Sequence, residues 1–101
     1  MGEAWAVKLR FTIRAAAELD EVLSSIDHRS PQGAQHVKQR LFAVIALLPQ
    51  YPQAGRLTNK VGLRRVVAYP YPYLIYYRAT DAEVVIHGVR HSARRPLSQP
   101  K

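Results

Sequence analysis

Residues 64–78 set Arg64, Arg65 and Arg78 among Tyr69, Tyr71, Tyr73, Tyr76 and Tyr77. A guanidinium fork grips a phosphate or carboxylate through paired N–H groups, and a tyrosine ring stacks on an exposed base. Side chains alternate between the two faces of a strand, so Arg65, Tyr76 and Arg78 are expected to share one exposed face. His91 and Arg94 are expected to reach the same face from the last strand. Arg65, Tyr76, Arg78 and Arg90 are therefore the candidates for binding a target or a nucleic acid. Tyr73 and Tyr77 alternate away from that face and are expected in the core.

Cleavage of RNA through its 2′-hydroxyl needs a proton acceptor, a donor to the leaving oxygen and positive charge at the phosphate. His91 is the candidate acid or base, because an imidazole side chain can both give and take a proton, with Arg64, Arg65 or Arg94 on the phosphate. No carboxylate is available to assist from the same stretch, because none occurs between His28 and Thr80. Other chemistries lack their residues. There is no cysteine, and His28, His36, His87 and His91 are scattered over different elements without metal-ligand spacing. Gly55 and Gly62 are isolated turn residues rather than a phosphate loop, and no serine triad pattern occurs. No metal or cofactor is expected.

The elements that must hold these side chains follow from periodicity. Residues 62–78 read as two strands facing each other across a turn at 69–72, where Pro70 and Pro72 remove backbone donors. A four-residue loop pairs 68 with 73, 66 with 75 and 64 with 77. That register puts Val66, Ala68, Tyr73, Ile75 and Tyr77 on one face and Leu63, Arg65, Val67, Leu74, Tyr76 and Arg78 on the other. Residues 5–11 alternate Trp5, Val7, Leu9 and Phe11 against Ala6, Lys8 and Arg10, the period of a half-buried strand. Thr12 caps a helix to about His28, with Ala15, Leu19, Val22, Leu23 and Ile26 at helical spacing. Ser30-Pro31 starts a second helix with Ala34, Val37, Leu41, Val44, Ile45 and Leu48 as its apolar stripe, and Pro49 stops it. Residues 49–62 are expected as loop. A turn at Thr80-Asp81-Ala82 leads to a last strand near 83–90, and the end beyond Pro96, residues 97–101, is expected to fray.

The order is β-α-α-β-β-β in a single domain, 1–101. An α+β fold is expected, its two-helix hairpin packed on one face of a mostly antiparallel sheet. Counting reversals through the helix hairpin sets the second strand opposite to the first, with the later turns alternating.

At 101 residues, 48% hydrophobic, the chain can bury one core. Its net charge of +8 favours a polyanion or an acidic protein as partner. No apolar run spans a membrane and no signal pattern opens the chain, so a cytoplasmic protein with no membrane partner is expected. A basic single-stranded nucleic-acid-binding module is one reading of these features.

Several motifs in order resemble a known family. They are Phe11-Thr12 before Ala15 and Leu19, the Ser30-Pro31 helix start, and Leu48-Pro49 with Pro52 and Gly55-Arg56. Gly62-Leu63-Arg64, the run from Tyr71 to Arg78, and Val89-Arg90-His91-Ser92-Ala93-Arg94 follow. Spanning about residues 5–96, they resemble the RelE/ParE superfamily of toxins from bacterial type II toxin–antitoxin modules. The resemblance implies the fold above and a toxin silenced by a cognate antitoxin, whose acidic segment suits the basic charge. RelE-like members cut mRNA in the ribosome, whereas ParE-like members poison DNA gyrase. Where RelE-like toxins often carry arginine this chain has Leu74, and residues 53–56 read Gln-Ala-Gly-Arg where glutamate or lysines can occur. The resemblance is therefore closer to ParE-like toxins, with a His91-based nuclease as the alternative.

Overall fold

The computed structural model describes residues 7–93. Trp5, Arg94 and the expected frayed end at 97–101 lie outside the described residues. Strand β1 covers Lys8–Phe11, helix α1 Ile13–Arg29 and helix α2 Pro31–Leu47. Strands β2 (Arg56–Leu57), β3 (Arg64–Val67), β4 (Tyr73–Ala79) and β5 (Glu83–His91) follow.

Both helix starts use hydroxyl caps. Thr12 Oγ1 accepts from the Ala15 N–H at 3.0 Å, and Ser30 Oγ accepts from Gly33 N–H at 2.9 Å. Ser30 also closes the first helix, its own N–H donating to the Ile26 carbonyl at 2.8 Å. One residue thus ends α1 and begins α2, which forces a tight helical hairpin. The apolar stripes face inward as expected. Ala15 and Leu19 of α1, Val37, Leu41, Val44 and Ile45 of α2 and Leu48 just after it form one core with Ile75, Tyr77, Val84, Ile86 and Val89 of the sheet and Ala68 at the end of β3.

The sheet order is β1-β5-β4-β3-β2. Val66 pairs with Ile75 and Arg64 with Tyr77, the register expected from a four-residue turn. The Ala68 N–H closes that turn on the Tyr73 carbonyl at 2.9 Å.

Two expectations are corrected. Residues 49–62 are not all loop, since β2 pairs antiparallel with β3 through Arg56 opposite Arg65. Two residues are too short for alternation to announce a strand. That added strand contributes one more reversal of the chain, so β3 runs with β1 rather than against it. In consequence β1 and β5 are parallel. The remaining pairings are antiparallel, and the mixed sheet stays mostly antiparallel.

A bulge interrupts β5. Tyr76 pairs with Gly88 and Tyr77 with Ile86, leaving His87 unmatched. One extra residue exchanges the faces of everything after it. Val84 and Ile86 point into the core before the bulge and Val89 does so after it.

Candidate functional site

The helices cover one face of the sheet and leave the other open. Register alone assigns the open face, because directly paired residues share a side. One row runs Arg56, Arg65, Tyr76, Gly88 across β2, β3, β4 and β5. On one side of it lies the row Val67, Leu74, Arg90, and on the other Arg78, Val85, Arg10. Arg65, Tyr76 and Arg78, expected on one face, do share it, and Arg90, a candidate on the last strand, stands there in place of His91.

Arg56 and Arg65 stand directly opposite each other and both are exposed. Facing like charges with Cβ atoms about 5 Å apart repel, and an anionic partner relieves that repulsion. The Arg90 guanidinium lies over the Tyr76 ring, 5.6 Å from its centroid, a cation–π contact. Arg90 Nε is also 3.7 Å from Glu18 Oε2, and Arg14 Nε is 3.3 Å from the same oxygen. Glu18 is held at this edge by the backbone. Strand β1 pairs with β5 only from Glu83 to Ile86, so the Val89 N–H has no strand beside it and donates to Glu18 Oε1 at 3.0 Å. Arg78 Nε donates to the Val61 carbonyl at 3.1 Å, tying the β2–β3 turn to the face.

The face has few negative groups. Glu83 is bound by Arg10 through two hydrogen bonds of 3.1 Å. The Arg10 hydrogen bond holds its carboxyl below the usual carboxylate range, and the same contact raises the Arg10 guanidinium. His87, on the bulge, is held below the ordinary imidazole value, first by burial and then by the charges of Arg78 and Arg10. It is therefore a neutral group at pH 7, able to accept a proton but adding no charge.

The nuclease candidates are dispersed. His91 is not on the open face, correcting the expectation. The His87 bulge turns it to the helix side, where its ring meets Tyr73 edge-on at 5.1 Å. Its Nδ1 accepts from the Ala93 N–H at 3.0 Å. Arg64 also points to the helix side, and its Nη1 donates to the Gly55 carbonyl at 2.7 Å. His91 pairs with Tyr73 and Arg64 with Tyr77, on opposite sides of β4. At ~3.3 Å per residue and ~4.8 Å per strand they are roughly 13 Å apart along the sheet and about 10 Å across it. They do not converge on one phosphate. Arg94 lies outside the described residues.

Arg10, Arg56, Glu18 and His87 were missed as members of the site. For His87 a signal existed: Gly88, interrupting the run Val84-Val85-Ile86, is the residue that marks a bulge. Glu18 reaches the site only through the end of β1, which no local pattern encodes. Among the described residues, no group of three His, Cys, Asp or Glu comes together as a metal site, and no helix is long and apolar enough to cross a membrane. The arrangement can bind anions, phosphate or carboxylate, over a tyrosine ring.

Comparison with known proteins places this arrangement in a family. Residues 9–96 match the family described as ParE toxin of type II toxin-antitoxin system, parDE. A protein of Caulobacter vibrioides named Toxin RelE2 is 39% identical over 84 residues, 83% of this chain and 93% of that protein. Putative toxin Y4kP of Sinorhizobium fredii is 33% identical over 79 residues, 77% of this chain and 82% of that protein. Among solved structures, the chromosomal ParDE system of P. aeruginosa contains a chain of the same fold. It has a TM-score of 0.76 and 24% identity over 85% of this chain and 96% of that one. The E. coli DinJ-YafQ toxin-antitoxin complex shares the fold at a TM-score of 0.61 and 12% identity, over 87% of this chain and 94% of that one. The chain belongs to the ParE toxin family and is a toxin of a type II toxin–antitoxin system.

Proposed function

We propose that this toxin arrests growth by binding DNA gyrase through the open sheet face, and that a cognate antitoxin with an acidic segment silences it. One observation carries the preference for binding over cleavage. By register the bulge turns His91, and the pleat turns Arg64, to the helix side, and the two stand too far apart to act as an acid–base pair on one phosphate. Leu74, between Val67 and Arg90, further puts an apolar side chain on the face where a RelE-like nuclease would often carry arginine. The resemblance to ParE-like toxins, which poison gyrase, supports gyrase as the target. Complexes of structural relatives with antitoxins, such as DinJ-YafQ, support the silencing partner.

A second reading has its own observation. His87 lies on the open face close enough to Arg78 for that charge to help hold its imidazole below the ordinary value, so an imidazole able to take a proton shares the face with the arginines. In that reading the toxin is an mRNA endoribonuclease in the ribosome, with His87 in the place expected of His91.

Regulated expression without antitoxin separates the two. Growth arrest with trapped gyrase–DNA cleavage complexes and unchanged mRNA 5′ ends by primer extension is the expected result. New mRNA ends without trapped gyrase would overturn it in favour of the nuclease.

A further inference from the structure

Gly88 stands on the open face opposite Tyr76, inside a strand, and without a positive φ, so its backbone does not require glycine. What the missing side chain supplies is room. A Cβ at this position would lie 3.0 Å from Glu18 Oε1, 3.9 Å from Arg90 Nε and 3.9 Å from Tyr76 Cδ1. Glycine inside a strand marks the close approach of another group, and here that group is the Glu18 carboxylate.

The two oxygens of that carboxylate have different partners. Oε1 accepts from the Val89 N–H at 3.0 Å and fixes the side chain on the strand. Oε2 accepts from Arg14 Nε at 3.3 Å and lies 3.7 Å from Arg90 Nε, an ion pair too long to be a hydrogen bond. Arg90 is thus bracketed by the Tyr76 ring against its guanidinium and by Glu18 beside its Nε, with its N–H donors not taken up by Glu18. A guanidinium grips a carboxylate or phosphate through paired N–H groups, and a fork already ordered loses less freedom in doing so. A carboxylate nearby also repels an incoming anion. Arg14, hydrogen-bonded to the same oxygen, offsets that repulsion and leaves the ordering of Arg90 as the larger effect.

We infer that Glu18 is a positioning residue of the open face: it holds Arg90 ready to take an oxyanion, carboxylate or phosphate, and Gly88 is the space that admits it. The positioning is a property of Arg90 and its neighbours and applies to any oxyanion that meets the face. Its consequence for growth arrest rests on the reading above, in which the open face meets the target.

The test compares the full chain with Glu18→Gln, Arg90→Ala and the double variant. Glutamine keeps an oxygen for the Val89 N–H but removes the charge beside Arg90. The NMR order parameter of the Arg90 Nε–H group, the affinity for inorganic phosphate, hydrogen exchange of the Val89 amide, Tm and colony survival after induction are measured. In Glu18→Gln the order parameter should fall and phosphate binding and growth arrest should each weaken about threefold, while Val89 exchange and Tm stay unchanged. Adding Glu18→Gln to Arg90→Ala should weaken neither any further. Unchanged order and unchanged phosphate affinity in Glu18→Gln overturn the inference. Tighter phosphate binding overturns it in favour of Glu18 as a competing anion. An equal loss in the Arg90→Ala background overturns it in favour of a role that bypasses Arg90. Faster Val89 exchange with a lower Tm overturns it in favour of a structural carboxylate. The expected phosphate series with unaltered arrest in all three variants would support the positioning and overturn the reading of the face. The gyrase reading fails separately, on the wild-type protein's mRNA ends and gyrase complexes, because the phosphate titration involves no target.

Discussion

Arg64 and Arg65 are neighbours in the chain, as are Tyr76 and Tyr77, and the strands pair Arg64 with Tyr77 and Arg65 with Tyr76. Two chemically identical pairs thus stand back to back across the sheet. On the helix side, Tyr77 is fully buried, its hydroxyl accepting from the Gly55 N–H and donating to the Pro52 carbonyl, both at 2.8 Å. Arg64 completes the clasp by donating to Gly55 O. On the open side, Arg65 has a fellow cation opposite, and Tyr76 carries Arg90 on its face. The pleat divides arginine and tyrosine between a buried clasp and the open face. Residue type says nothing about which is which; only the side of the sheet does.

The largest effects should fall on the helix side and on stability. Tyr77→Phe leaves the buried Gly55 N–H without its acceptor and should cost about 2 kcal/mol, roughly 10 °C in Tm. Gly55→Ala should be comparable, since its Cβ would sit 2.9 Å from both the Arg65 carbonyl oxygen and the Tyr77 hydroxyl. Denaturant unfolding checks both, and unchanged midpoints would break the comparison.

The paired arginines sharpen it at a smaller scale. Arg64→Ala should lose about 1 kcal/mol of stability. Arg65→Ala should change stability by less than about 0.5 kcal/mol yet weaken growth arrest several-fold. Equal behaviour of the two variants in unfolding and in induced-growth assays would mean that the faces are not functionally distinct.

The smallest effect concerns pH. His87 is held below the ordinary imidazole value of about 6.5, so the unfolded chain takes up a proton that the folded one resists. Its contribution is complete above about pH 6.5 and is lost as pH falls below that value. His87→Gln should therefore flatten the decline of Tm between about pH 7.5 and 5.5. A decline identical to that of the wild type would place its source elsewhere. Glu83 acts further down, in the carboxylate range, where acid removes its ion pair with Arg10.

Much of this architecture was legible in advance. The helical stripes, both hydroxyl caps, the Pro70–Pro72 turn and the β3–β4 register follow from local periodicity and backbone chemistry. The illegible parts were small and had large consequences. Arg56–Leu57 is too short to alternate, yet pairing it with β3 reverses the direction of every later strand relative to β1. His87 is one residue in a strand of nine, yet it exchanges Arg90 and His91 between faces.

By itself, then, the sequence determined the parts and their chemistry: two capped helices, a tyrosine–arginine hairpin, and a basic surface without carboxylates between residues 28 and 80. Those features depend on neighbours within a few positions, which a linear reading can see. The tertiary structure alone decided which arginines lie on the open face and which hold a loop. It also decided that Glu18, at the open edge of β5, would steady Arg90 from 72 positions away in the chain. Those outcomes turn on strand count and on a single unpaired residue. The face a side chain takes is a parity, and one misplaced residue reverses it.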